Sequence, residues 1–408
     1  MESRWLGEYG TIPHQAMLVI TSSILPSLLL GMVFTDLPYH LTIIQGLPDL
    51  FMGALIMVMG IAVILASPPM GAAADRFGKK RVLIISNVVM SASIILFAIV
   101  RDPLILLIVA AVKGICEAGC STSTVALLAE KSGSISRTSA FALLSFLGTV
   151  AFAVGSFAIP LVLVYERFGF DTRAAHISLY ITMALLSLIS ILFILRITES
   201  KELREKKNNS LLSVPSRRIV LGFSISGFIF NLGSGIIIPL MSRWFFLMYA
   251  VTDVISGPVL GAAGLLAALG ILAVPALTRR NGIVRSILLV QGLAMILFFF
   301  IPLSPNFITA AGFNTGRALF INMAGTLQQS FITGMVPKEE LGFASGIGSA
   351  IWRTPNTVST VVGAGLIGGQ FMDLPFYLGA TLYGLSIVVF WIWFRNARLP
   401  EERARHKV

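Results

Sequence analysis

Five ionisable side chains lie inside stretches of sequence that are otherwise apolar: Asp36, Lys113, Glu117, Arg317 and Arg353. Each costs at least a few kcal/mol to place in hydrocarbon, so each needs a partner, a water-filled cavity or a task. Lys113 and Glu117 are spaced i, i+4, which on a helix puts them on one face. Counted from Leu104 at ~1.5 Å per residue they lie ~13 and ~20 Å deep, near the middle of a hydrocarbon layer of ~30 Å. Arg317 is ~16 Å into its own run by the same measure. A carboxylate that either takes a proton or pairs with Lys113 lets a proton and a solute compete for one site. The alternative is a self-neutralising pair that only permits insertion, a service that apolar residues perform without the desolvation cost. Arg353, in Ile351-Trp352-Arg353-Thr354-Pro355-Asn356, is ~18 Å into its run and fits packing and substrate binding equally well. Asp36, in Phe34-Thr35-Asp36-Leu37-Pro38, sits in the outer third of the first run, where one reading is a solvated carboxylate at the mouth of the span.

The runs that position these residues fill most of the chain. Of 408 residues 56% are hydrophobic and only 12% charged, against ~25% charged in soluble domains, so the bulk of the chain belongs in a membrane. Apolar stretches of ~20 residues or more predict twelve transmembrane helices, at 17–40, 49–70, 82–100, 104–129, 138–164, 177–197, 218–243, 254–277, 284–303, 306–332, 341–369 and 375–394. The fold class is an all-α membrane protein. Of the 30 Lys and Arg, only Arg101, Arg167, Arg173 and Arg243 fall on one side of these spans, with Lys113, Arg317 and Arg353 inside them. The excess on the other side places both termini in the cytoplasm of a multi-pass protein of the plasma membrane. The same topology accounts for the net charge of +11 better than nucleic acid does. The first run is too long for a cleaved signal segment and is expected to be retained.

The longest polar stretch falls at the midpoint and divides the chain into an N-terminal half, 1–197, a cytoplasmic linker, 198–217, and a C-terminal half, 218–408, with a short cytoplasmic tail. A shift of 204 positions takes Gly78 to Gly282, Arg81 to Arg285, Gly31 to Gly235, Lys113 to Arg317 and Ser27 to Asn231. A constant offset through several spans predicts two parallel repeats of six helices. It also adds Asn231 to the polar positions near mid-depth.

Between the second and third spans stands Gly71-Ala-Ala-Ala-Asp75-Arg76-Phe-Gly78-Lys79-Lys80-Arg81. The short connection joins two antiparallel helices, its charges keep it in water, and its glycines allow close approach and a tight turn. Asp75 is expected to cap the following helix. The spacing Gly-x-x-x-Asp-Arg-x-Gly-(Lys/Arg)-(Lys/Arg)-Arg resembles the loop between helices two and three of the major facilitator superfamily, and the topology extends the resemblance to nearly the whole chain. The resemblance implies alternating access about a midplane site lined by spans one, four, seven and ten. It implies a cytoplasmic gate latched by Gly71, Asp75, Arg76, Gly78, Lys79 and Arg81, and Glu130, by its position, is the expected partner. An acid followed closely by Pro in the first span, as at Asp36 and Pro38, resembles the proton-coupled small-solute and drug exporters of the family, where it takes part in proton or cation binding. The fifth span, with Gly148, Gly155 and Pro160, departs from the antiporter pattern.

These features predict a secondary active transporter of a small organic solute, proton-coupled, with export favoured over import. The alternative is an importer or facilitator of a small, anionic solute without coupling. Asp36, Lys113, Glu117, Asn231, Arg317 and Arg353 are the candidate substrate- and proton-binding residues. No HExxH, Gly-x-Ser-x-Gly or paired Asp motif supports an enzyme. The four histidines show no metal spacing, Cys116 and Cys120 read as small packing residues, and no cofactor or metal is expected. The expected partners are the lipid bilayer, the solute and protons, and the expected state is a monomer.

Overall fold

The computed structural model describes residues 12–132, 137–198, 214–336 and 341–397. Among these, every regular element is helical. Twelve long helices carry the fold: α1 His14–Tyr39, α2 Asp49–Phe77, α3 Lys79–Ile99, α4 Pro103–Lys131, α5 Arg137–Gly155, α6 Thr172–Leu188, α7 Val214–Gly235, α8 Asp253–Gly270, α9 Ile283–Phe300, α10 Phe307–Met335, α11 Leu341–Gly368 and α12 Leu374–Phe394. Short helical segments prolong several of them, including a π-helical turn, His40–Ile44, directly after α1. Ten of these stretches are long and apolar enough to cross a membrane. Large apolar side chains such as Leu65, Leu104 and Ile308 stand exposed on the outer surface, as lipid-facing residues do.

Local chemistry sets the helix ends. Asp102 accepts hydrogen bonds from the Leu104 and Ile105 amides ahead of Pro103 at the first position of α4, the arrangement that satisfies free N–H groups at a start. Asp171 caps α6 and Asn306 caps α10 in the same way. Between α2 and α3 the turn is a single residue, Gly78, at φ 100°, a conformation that a side chain disfavours. Its repeat counterpart Gly282 stands at φ 75° ahead of α9.

The structure differs from the sequence expectation at the turn between α2 and α3. Residues 71–77 are not a loop but the last two turns of α2, so Asp75 lies in the final turn of that helix, and the residue at the start of α3 is Gly78. Gly71 makes no close approach either, since a Cβ there would meet nothing within 4 Å.

The chain forms two compact units, one of Met1–Glu202 with Thr252–Gly261, the other of Leu203–Val251 with Ala262–Val408. In the first, Gly31 of α1 abuts the Phe152 carbonyl of α5 and Gly114 of α4 abuts the Met59 carbonyl of α2, too closely for a Cβ. In the second, Gly235 of α7 abuts the Asn356 carbonyl of α11. The offset that pairs Gly31 with Gly235 thus pairs equivalent contacts, α1 on α5 and α7 on α11. Small residues at such crossings let backbones approach where lipid supplies no hydrophobic drive.

Candidate functional site

In the first unit, Lys113 and Glu117 project from the middle of α4. The Gly114 contact presses this face of α4 on α2, and Lys113 is buried. Its Nζ donates to Glu117 Oε2 at 2.6 Å, and the Glu117 side chain keeps 23% of its surface exposed. The pair is therefore closed and neutral, yet its acid is not fully enclosed by protein.

The repeat-related position in the second unit has a different character. Arg317 of α10 is buried, donates from Nη1 to the Tyr383 hydroxyl at 3.2 Å, and lies 5.3 Å from the centre of the Phe298 ring. Tyr383 stacks on Phe230 at 4.1 Å and on Phe298 at 5.1 Å, which fixes the hydroxyl that holds the guanidinium. Nε of Arg317 is buried without a hydrogen-bond partner, and no carboxylate among the described residues pairs with it. A buried cation without a counter-charge is costly, and a bound anion removes the cost. Asn231 of α7 is buried too, but its Nδ2 is committed to the Gly227 carbonyl of its own helix at 2.7 Å. Arg353 lies in α11, and its side chain lies outside the described residues.

Near the turn at Gly78, Lys79 Nζ meets Glu130 Oε2 at 2.6 Å, and Lys131 meets the other oxygen of Glu130 at 2.8 Å. Lys80 Nζ donates to the Leu195 and Ile197 carbonyls at 2.6 and 2.9 Å. Cations there satisfy acceptors that a helix end leaves free. Gly71, Asp75, Arg76 and Arg81 stand at the same end of the first unit, and Arg76 packs its guanidinium over the Phe77 ring.

Asp36 is not a solvated carboxylate. It is completely buried, and two residues distant from it in sequence, His176 near the start of α6 and Asp253 at the start of α8, bring side-chain N and O atoms within 4.8 Å of its own. His176 Nε2 is 3.0 Å from Asp253 Oδ2 and 3.9 Å from Asp36 Oδ1. The three groups come from three different helices, so no local spacing in the sequence marks their proximity. The spans expected from hydropathy begin at 177 and 254, one residue beyond each of the two, so both fall outside them. Cys116 and Cys120 are both free thiols on α4.

A family model described as Major Facilitator Superfamily matches residues 19–349. No curated protein matches the chain. Among solved structures, a variant of the nucleoside transporter NupG is similar at a TM-score of 0.76 and 15% identity, over 93% of this chain and 100% of that one. NupG itself is similar at 0.69 and 16%, over 94% and 98%. The human organic anion transporter MFSD10 (TETRAN) is similar at 0.61 and 16%, over 93% and 100%.

Proposed function

The chain belongs to the major facilitator superfamily of membrane transporters, and on that premise we propose that it moves a small organic anion across the plasma membrane by alternating access, coupled to protons and in the direction of export. The observation that carries the anion is Arg317, a buried guanidinium without a carboxylate partner among the described residues, held by Tyr383, which stacks on Phe230, and lying over the ring of Phe298. A planar guanidinium offers paired donors to a carboxylate, and the rings suit an apolar or aromatic body. One structural neighbour is named an organic anion transporter, which agrees with this chemistry.

Coupling rests on Glu117. Its partly exposed carboxylate takes a proton or pairs with Lys113, and a solute anion that draws on Lys113 shifts that balance. Export rests on the likeness of Phe34-Thr35-Asp36-Leu37-Pro38 to the first span of proton-coupled exporters. In this reading the N-terminal half, 1–197, and the C-terminal half, 218–408, move about the tether 198–217, with both termini in the cytoplasm. The residues from Gly71 to Arg81 work as the cytoplasmic gate, and the contact of Lys79 with Glu130 is the latch that a change of state breaks. Asn231 and Arg353 complete the set of binding residues.

A second reading, an importer or facilitator without coupling, is favoured by one observation: the Lys113–Glu117 pair is already closed at 2.6 Å and needs no proton to be neutral.

The substrate class is tested by counterflow in proteoliposomes preloaded with a pool of organic acids or with a pool of neutral analogues. The acid pool should exchange, the neutral pool should not, and Arg317→Gln should lose the exchange. Equal exchange of both pools, unchanged in Arg317→Gln, would contradict an anionic substrate.

A further inference from the structure

We propose that Asp36, His176 and Asp253 form a binding site for one divalent metal ion of the zinc class, with one imidazole and two carboxylates as ligands. The hydrogen bonds of His176 fix its tautomer. Its Nδ1 lies 2.8 Å from the Thr172 carbonyl oxygen, which only accepts, so Nδ1 carries the proton. In the neutral ring Nε2 then presents a lone pair to Asp253 Oδ2 at 3.0 Å, and two lone pairs do not approach so closely without a positive species between them. A backbone carbonyl on the other ring nitrogen is also the partner that orients histidines at metal centres.

That species could be a second ring proton, but an imidazolium leaves Asp36 unexplained. Asp36 is 0% exposed, and neither of its oxygens has a hydrogen-bond partner. With both carboxylates ionised, one imidazolium leaves a net charge of −1, and neutrality then takes either a further proton on Asp36 or a metal ion, which the titration below tells apart. Two carboxylates, a neutral imidazole and a divalent cation carry none, and the cation also gives Asp36 a partner. The separations of 3.0, 3.9 and at most 4.8 Å close on a common ion at ~2.0–2.2 Å from each ligand atom after a small turn of the Asp36 carboxyl.

The surroundings suit such a site. His40 and Tyr39 lie with ring centres 5.8 and 6.3 Å from His176, which leaves the ligands in a dry shell. The Tyr180 hydroxyl, on a ring 5.0 Å from that of His40, is a further buried polar atom without a hydrogen-bond partner. Arg173, three residues before His176, turns to the Ile99 carbonyl and forms no ion pair with either carboxylate.

The helices hold the three ligands together for reasons that are independent of any ion. Thr35, beside Asp36, hydrogen-bonds to Ser156 at 2.8 Å and fixes the end of α1 to the turn after α5. Asp253, Gly257 and Gly261 are spaced i, i+4, i+8 on one face of α8. Gly257 comes close to Ile159, and Gly261 to the Ala153 carbonyl, so that face lies on the same region of α5. A metal bound there would hold the first turn of α8 against α1 and α6.

The test uses the whole chain, purified in detergent and stripped of metal with a chelator, and titrated with Co2+ while the visible d–d bands are followed. Saturation at one Co2+ per chain and displacement by Zn2+ are expected. Asp36→Asn, His176→Gln and Asp253→Asn should each weaken binding by at least ~10–100-fold, the loss typical of disturbing a metal centre. Size-exclusion elution of the variants checks that they fold. If they do not, the titration of the unaltered chain still decides. Failure of that chain to bind Co2+ or Zn2+ saturably would leave the cluster to protons and overturn the proposal. Binding that is equal in all three folded variants would place the ion elsewhere and overturn it too.

Discussion

At the scale of single residues, the two repeat-related cations differ in how their charge is met. Lys113 has Glu117 at 2.6 Å, whereas Arg317 has a tyrosine hydroxyl and aromatic faces. Removing one member of a buried pair costs about 3–5 kcal/mol, because the other is left charged and unpaired. The 23% exposure of Glu117 puts Lys113→Met at or below the low end of that range. The double variant Lys113→Met with Glu117→Gln should therefore be less destabilised than Lys113→Met alone, as read by thermal unfolding in detergent. A double variant as unstable as the sum of the two single changes would show that they do not act as a pair. For Arg317, Lys keeps the charge but loses the planar donor set and the stacking on Phe298. Arg317→Lys should thus retain anion exchange with a KM raised by ~10-fold or more, a loss of about 1.4 kcal/mol in binding, whereas Arg317→Gln should abolish it. The positions of these residues, and one of their contacts, were legible in the sequence. A charged residue in an apolar run announces itself, and the i, i+4 spacing of Lys113 and Glu117 gave their contact. Asn231 shows the limit: its position was legible, but not that its amide would turn back to the Gly227 carbonyl.

Helices and their junctions obey a different logic, in which glycines matter where backbone geometry demands them. Gly78 and Gly282 hold positive φ at matching turns, so Ala at either should cost about 1–3 kcal/mol of stability. Gly71 sits in a helix with open space where a Cβ would be added, so Gly71→Ala should be neutral or should stabilise by about 0.5–1 kcal/mol. Melting temperatures of the three variants check this contrast, and equal losses at Gly71 and Gly78 would mean that the turn is not where the structure puts it. Sequence placed both glycines in one loop because charge and small residues mark where a chain leaves lipid, not where a helix stops. The helix runs on to Phe77 because Ala72, Ala73 and Ala74 are strong helix formers. The cluster of Asp36, His176 and Asp253 escaped for a related reason. His176 is the fifth residue of α6 and Asp253 the first of α8, near helix starts where a hydropathy boundary is blurred, and their proximity depends on crossings of α1, α6 and α8 that no local spacing encodes.

For the molecule as a whole, the number of spans and the repeat were legible because a bilayer restricts the solutions: only closed helices satisfy their backbone in hydrocarbon, and ~20 apolar residues are needed for each. The 204-residue offset held at the level of structure, with Gly31 and Gly235 making equivalent helix contacts. Substrate and direction were not legible to the same degree, since they depend on which of several buried charges a solute can reach in each state. The account makes Glu117 the group through which a proton and a solute anion exchange. Its most direct test follows lumenal pH with a dye in proteoliposomes under an imposed pH gradient, with the organic acid pool added to wild type, Glu117→Gln and Asp36→Asn. A proton flux should start on addition of the acids, have the sign of exchange against an exported solute, and vanish in Glu117→Gln. Acids that cross without moving protons, with Glu117→Gln transporting as wild type does, would contradict coupling and leave Lys113 and Glu117 as a structural pair in a facilitator.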